Sequence, residues 1–157
     1  MLSLVTTMTS SIINDLTIND FSIGQVFSFQ KKIDENDLNR FAELSGDSNP
    51  LHMNDEFAKE RGLQGCVAHG LLLSSFFSKM VGMHCPGKNA LLHSANLKFL
   101  LPAYVNDIIV VQAVVGHISL STNILLLDGT ITNETTNKLL VKGKIQVGFT
   151  KNLHGNG

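Results

Sequence analysis

Two side chains that move protons near neutral pH stand close together in this chain. They are Asp47 and His52, in the segment Gly46-Asp47-Ser48-Asn49-Pro50-Leu51-His52. A carboxylate and an imidazole at this spacing can grip one water, one accepting its proton while the other donates or orients. Turn chemistry alone also explains much of the segment, because Asp, Asn and Pro are common turn residues. Seventeen residues after His52 comes His69-Gly70, the opening of a long apolar run. A glycine at a helix start offers a backbone N–H without an intrahelical partner, and a substrate carbonyl can approach it closely. Such a glycine can equally serve tight helix packing.

The elements that must position these groups are readable from period and punctuation. Val26 to Ile33 alternates like a strand. Asp34 suits a helix N-cap with Asp37 at the N3 position, Leu38, Phe41 and Leu44 give an apolar face, and Gly46 suits the helix end. Asn54 is placed to cap a short helix that stops near Gly62. Cys66 to Cys85 is mostly apolar and dotted with serine, which predicts a buried helix. From Leu91 the pattern becomes β, with strands expected over 91–101, 107–117, 122–132 and 138–149, joined by short turns. Short connections favour antiparallel neighbours. The expected fold is α+β: a curved antiparallel sheet wrapped around one long central helix. Residues 1–20 read as a loose N-terminal extension, 21–150 as one domain and 151–157 as a flexible tail.

Composition narrows the function classes. Hydrophobic residues make up 43% of the 157 and charged residues 16%, which rules out a disordered chain and predicts apolar surface buried between subunits. A net charge of −1 with no basic cluster argues against nucleic acid as a partner. Lys31, Lys32, Lys59, Arg61, Lys88 and Lys98 are cations that could hold an anionic group. Cys66 and Cys85 form no metal-binding pattern and read as reduced thiols of a cytoplasmic protein. No apolar run reaches the length of a membrane span.

Taken together, GDSNPLH at 46–52, VAHGLL at 67–72, and SANLKFLLP at 94–102 with Asp107 resemble the MaoC-like hydratases, relatives of the (R)-specific enoyl-CoA hydratases. The resemblance spans roughly residues 22–149. It implies a hot-dog fold, catalytic Asp47 and His52, and a Gly70 N–H directed at a thioester carbonyl. It implies a supporting Ser78 bonded to the aspartate, against the alternative of a serine bonded back to its own helix. It also implies a homodimer acting on coenzyme A or acyl-carrier thioesters, within fatty acid metabolism, with no cofactor of its own. The activity implied is addition of water to trans-2-enoyl thioesters, or the reverse. The alternatives are a thioesterase on the same fold and a non-catalytic acyl-thioester-binding subunit.

Asn49 is expected to shape the loop, and His69 to make a structural hydrogen bond near the helix start. Leu71, Phe77 and Val81 are candidates to line the acyl chain. His84, His93, His117 and His154 are expected to be surface or structural. Where relatives have Gly-Asp, this chain has Asn106-Asp107, a turn that asparagine tolerates.

Overall fold

The structure is a computed structural model. It describes residues 12–150 and the backbone of Thr6 and Thr7. The strands are β1 (Thr6–Thr7), β2 (Val26–Lys32), β3 (Ala90–Phe99), β4 (Ile108–Ser119), β5 (Ile124–Asn133) and β6 (Leu139–Phe149). The helices are α1 (Glu35–Ser45), α2 (Pro50–Met53), α3 (Asp55–Glu60) and α4 (Gly70–Lys79). One sheet runs in the order β1-β2-β4-β5-β6-β3. Every pairing is antiparallel except that of β1 with β2.

Local chemistry sets the helix boundaries where the sequence predicts them. Asp34 accepts the Asp37 N–H at 2.8 Å, and Asp37 accepts the Asp34 N–H in return at 2.9 Å. This reciprocal cap satisfies two donors that the helix cannot. Gly46 closes α1 in the left-handed region with φ 79°, donating its N–H to Ala42 O at 2.8 Å. The apolar face of α1 differs from expectation. Leu38 and Ala42 are buried, while Leu44 points to solvent. A helix turns about 100° per residue, so Ala42 shares the face of Leu38 and Leu44 does not.

The apolar run from Cys66 does not form one long helix. Residues 66–69 lie outside the helix with Val67 bridged to Tyr104, α4 covers ten residues, and Met80–His84 widen into a π turn. Leu72, Leu73, Phe77, Met80 and Val81 enter the core, against Ile109, Val111, Leu127, Ile131 and Ile145 of the sheet. Gly129 of β5 makes room for this packing, since a β-carbon there would lie 2.8 Å from the Phe77 ring. The opposite face of α4, with Leu71, Ser75, Ser78 and Lys79, is exposed. The expectation of a helix buried all round is therefore corrected: within one chain, the sheet covers only one side of α4.

The N-terminal segment is also more tied down than expected. Asn14 donates from its backbone to Met83 O at 2.9 Å and from its side chain to His84 O at 2.7 Å. Its own carbonyl accepts the Lys88 N–H at 2.9 Å, and Asp15 pairs with Lys88. The π turn leaves carbonyls that this strap satisfies. The remainder of residues 1–11 and the proposed tail, with His154, lie outside the described residues. No described helix is long and apolar enough to cross a membrane.

Candidate active site

The loop between α1 and α2 is built from its own side chains. The Ser45 hydroxyl accepts the Asp47 N–H at 3.2 Å, and Asp47 Oδ1 accepts the Asn49 N–H at 3.2 Å. Asn49 caps α2 by accepting the Leu51 N–H at 2.9 Å, and Pro50 occupies the first helical turn. Proline suits that position because its missing N–H would have no partner there. Asn49 thus holds the start of α2 through its own side chain.

α2 then presents His52 toward the chain leading into α4. Val67 N–H donates to Leu51 O at 3.1 Å, and His52 Nδ1 lies 2.7 Å from Val67 O. A carbonyl can only accept, so Nδ1 carries the hydrogen and Nε2 keeps its lone pair. Val67 is backed in turn by a bridge to Tyr104, and Ala68 by a bond to Ala103 O at 2.8 Å. Asn106 makes the adjacent turn with φ 75°, as expected of asparagine, and Asp107 Oδ2 holds Tyr104 N–H at 2.8 Å.

His69 joins the two halves of the site. It is 1% exposed. Its Nε2 lies 2.9 Å from the main-chain carbonyl of Asp47, its ring stacks on His52 with centroids 3.8 Å apart, and Phe41 packs nearby at 4.9 Å. An Asp47 carboxylate oxygen and one nitrogen from each of His52 and His69 fall within 4.8 Å of one another. Two hydrogen bonds of about 2.8 Å through a single water can span such a separation. A metal ion is a poorer fit to this trio. Two ring nitrogens already face main-chain carbonyls, the rings are stacked, and the remaining nitrogen of His69 is buried. Stacked rings send their lone pairs along near-parallel planes, not to one point.

Gly70 follows His69 as the first residue of α4, and its N–H donates to no partner among the described residues. A β-carbon at Gly70 would lie 3.2 Å from the Phe99 ring, so glycine keeps this helix start open. Ser74 bonds back to Gly70 O at 3.1 Å. Ser78, one turn further on, is exposed and has no hydrogen bond to Asp47. Asp47 is itself exposed.

The acyl-chain candidates are scattered: Leu71 is 68% exposed, whereas Phe77 and Val81 are in the core. The cavity beside His52, of about 350 Å³, is lined instead by residues such as Leu38, Met53, Cys66 and Tyr104. Leu38 was expected in a helix face and Cys66 as a free thiol, but none of the four was expected to line a cavity. Met53, Cys66 and Tyr104 are near His52 or its support in the chain, which does not say which way a side chain faces. In this cavity the Asp55 carboxyl is held below the usual carboxylate range, first by the Lys59 ammonium and then by the Cys66 N–H. Burial, and next Asp55, pushes the Cys66 thiol up. A thiol so placed stays protonated and is a poor nucleophile. Of the cations noted from sequence, Lys31, Lys59, Arg61 and Lys88 are paired with carboxylates.

The chain matches known proteins in both sequence and shape. A segment of 88 residues is 38% identical to the (R)-specific enoyl-CoA hydratase of Rhodospirillum rubrum, covering 56% of this chain and 61% of that protein. The match thus spans somewhat under two thirds of that relative's length. The (R)-specific enoyl-CoA hydratase of Aeromonas caviae is 34% identical over 92 residues, 59% of this chain and 69% of its own. The solved (R)-hydratase of A. caviae, described as involved in PHA biosynthesis, superposes with a TM-score of 0.79 at 30% identity, over 83% of this chain and 98% of that one. The R-hydratase PhaJ1 of Pseudomonas aeruginosa shares the fold, with a TM-score of 0.83 at 24% identity over 89% of each chain. The fold is therefore α+β of the hot-dog type, as expected. The MaoC like domain model matches residues 19–138, a span that holds Asp47, His52 and Gly70, and the chain belongs to that family.

Proposed function

We propose that this protein is a hydro-lyase that adds water to trans-2-enoyl thioesters to give (R)-3-hydroxyacyl thioesters, or catalyses the reverse dehydration. The observation that carries this reading is the Asp47–His52 pair, joined through His69 to the Gly70 end of α4. Relatives in sequence named as enoyl-CoA hydratase and 3-hydroxybutyryl-CoA dehydratase support it.

The chemistry follows from the groups present. Water sits between the Asp47 carboxylate and His52 Nε2. As its oxygen bonds to C3, its proton passes to the pair, with His52 Nε2 as the free lone pair. The C2–C3 double bond opens and negative charge grows on the thioester oxygen. The Gly70 N–H and the positive end of the α4 dipole stabilise that charge. A proton from the pair then reaches C2. The net change is addition of one water with no change of redox state overall, so acid–base groups and an oxyanion donor suffice and no cofactor is required.

The acyl carrier is coenzyme A or an acyl-carrier protein, and the working form is a homodimer. Among the described residues β3 is an edge strand paired with β6 alone, and its exposed side chains include Leu91, Leu92 and Phe99. With the open face of α4 this makes an apolar surface that a second copy would cover. The same covering would shield Asp47 and Ser78, which one chain leaves in solvent. Two free cysteines fit a reducing cytoplasm.

Incubation with crotonyl-CoA tests the activity. Loss of the enoyl absorbance without release of free thiol supports hydration. Free thiol would mean a thioesterase, and unchanged enoyl-CoA and enoyl-carrier substrates that still bind would mean a binding subunit. Sedimentation velocity should show a dimer, and a stable monomer at working concentration would remove that part of the proposal.

A further inference from the structure

We infer that His69 is the positioning residue of this site, holding Asp47 and His52 in their working orientation without touching substrate. The inference rests on the hydro-lyase reading above.

His69 occupies the N-cap of α4, yet its side chain makes no capping hydrogen bond to that helix. Serine, threonine, aspartate or asparagine would normally stand there and satisfy a free N–H of the first turn. Histidine leaves those donors open, the Gly70 N–H among them, and sends its ring elsewhere.

That ring touches both catalytic candidates. Nε2 lies 2.9 Å from the carbonyl of Asp47, twenty-two residues earlier in the chain. Since the carbonyl only accepts, Nε2 carries the hydrogen and Nδ1 keeps the lone pair, buried with no partner. The bond fixes the backbone from which the Asp47 carboxylate projects. The stack at 3.8 Å and 27° fixes the plane of His52, while the bond from His52 Nδ1 to Val67 O fixes its rotation within that plane. With both constraints, Nε2 of His52 has one direction in which to point. Phe41 packs on the His69 ring at 4.9 Å, so the clamp is itself held. His69 also stands next to Gly70 in the chain, so one residue ties the proton-transfer pair to the oxyanion donor.

Two variants separate the contacts. His69→Phe keeps a flat ring for the stack and loses the donor to Asp47 O, whereas His69→Gln keeps an amide donor and loses the stack. In the wild-type protein, long-range 1H–15N spectra of the imidazoles should place hydrogen on Nε2 of His69 and on Nδ1 of His52. With crotonyl-CoA, His69→Phe should lower kcat by about ten- to a hundredfold while KM stays within about threefold, because misplaced groups slow chemistry more than binding. His69→Gln should recover part of that loss. The inference is overturned if His69→Phe keeps kcat within about twofold of wild type, if the loss falls on KM instead, or if His69→Gln is no better than His69→Phe. It is also overturned by spectra that place the hydrogen of His69 on Nδ1. If the wild-type protein hydrates no enoyl thioester, the functional reading fails, and the imidazole spectra still decide whether His69 clamps its neighbours.

Discussion

The two ends of α4 each carry a buried histidine, and the two are used differently. At the Gly70 end, His69 bonds the Asp47 carbonyl and stacks on His52. At the far end, His84 lies in the π turn against Phe29, and among the described residues neither of its ring nitrogens has a partner. The first ring is wired to a loop of polar residues and main-chain carbonyls. The second fills space in the core. Burial alone therefore does not set what a histidine contacts in this protein. What separates them is whether the ring restrains groups that can move protons.

The largest effects should come from the pair that His69 restrains. Asp47→Asn and His52→Ala should each lower turnover by about 10²–10⁴ with little change in melting temperature. Near-wild-type activity in either would mean that the pair is misassigned, and the contrast between the two helix ends would lose its meaning. Gly70→Ala comes next. It keeps the N–H but sets a methyl against the Phe99 ring and narrows the approach of a carbonyl. A loss of up to about 10² in kcat is expected, somewhat below that for deleting an oxyanion donor. An unimpaired alanine variant would return Gly70 to a packing role.

The His84 end should answer in stability and not in rate. Burial, and then the Lys79 ammonium, holds the His84 pKa below its ordinary value of 6.5. The unfolded chain thus takes up a proton near pH 6.5 that the folded chain refuses. The stability associated with the neutral ring is complete above that pH and declines as the pH falls through it. His84→Phe should remove this dependence, so that the melting temperatures of variant and wild type diverge progressively from pH 7 to pH 5 in favour of the variant. Parallel melting curves across that range would contradict the assignment. kcat at pH 7 should be unaffected.

The same contrast explains what was legible in the sequence. The Asp47–His52 loop was, because its making is local: Asp34 with Asp37, Gly46 in the left-handed region, Asn49 on Leu51 N–H and Asn54 capping α3 are all contacts within a few residues. The strands from Ala90 onward were readable to within about two residues for the same reason, their turns being marked by Pro, Gly and Asn. The stack of His69 on His52 was not, because it depends on how α1, α2 and α4 come together around Phe41. Nor was the exposure of Leu71 and Ser78. Apolar content predicts that a residue will be covered, but not whether its own chain or another provides the cover. The π turn at Met80–His84 left no mark in the apolar pattern that distinguishes it from more α-helix.

In the proposed reaction the loop and the helix end form one hydrating site. Its most direct test follows the enoyl absorbance of crotonyl-CoA with wild-type protein and with Asp47→Asn, alongside a free-thiol assay. Wild type should show rapid loss of absorbance and formation of the (R)-3-hydroxy product without thiol release, and in the variant both the loss of absorbance and the product should be nearly abolished. Loss of absorbance that persists undiminished in Asp47→Asn, or appearance of free thiol, would contradict it.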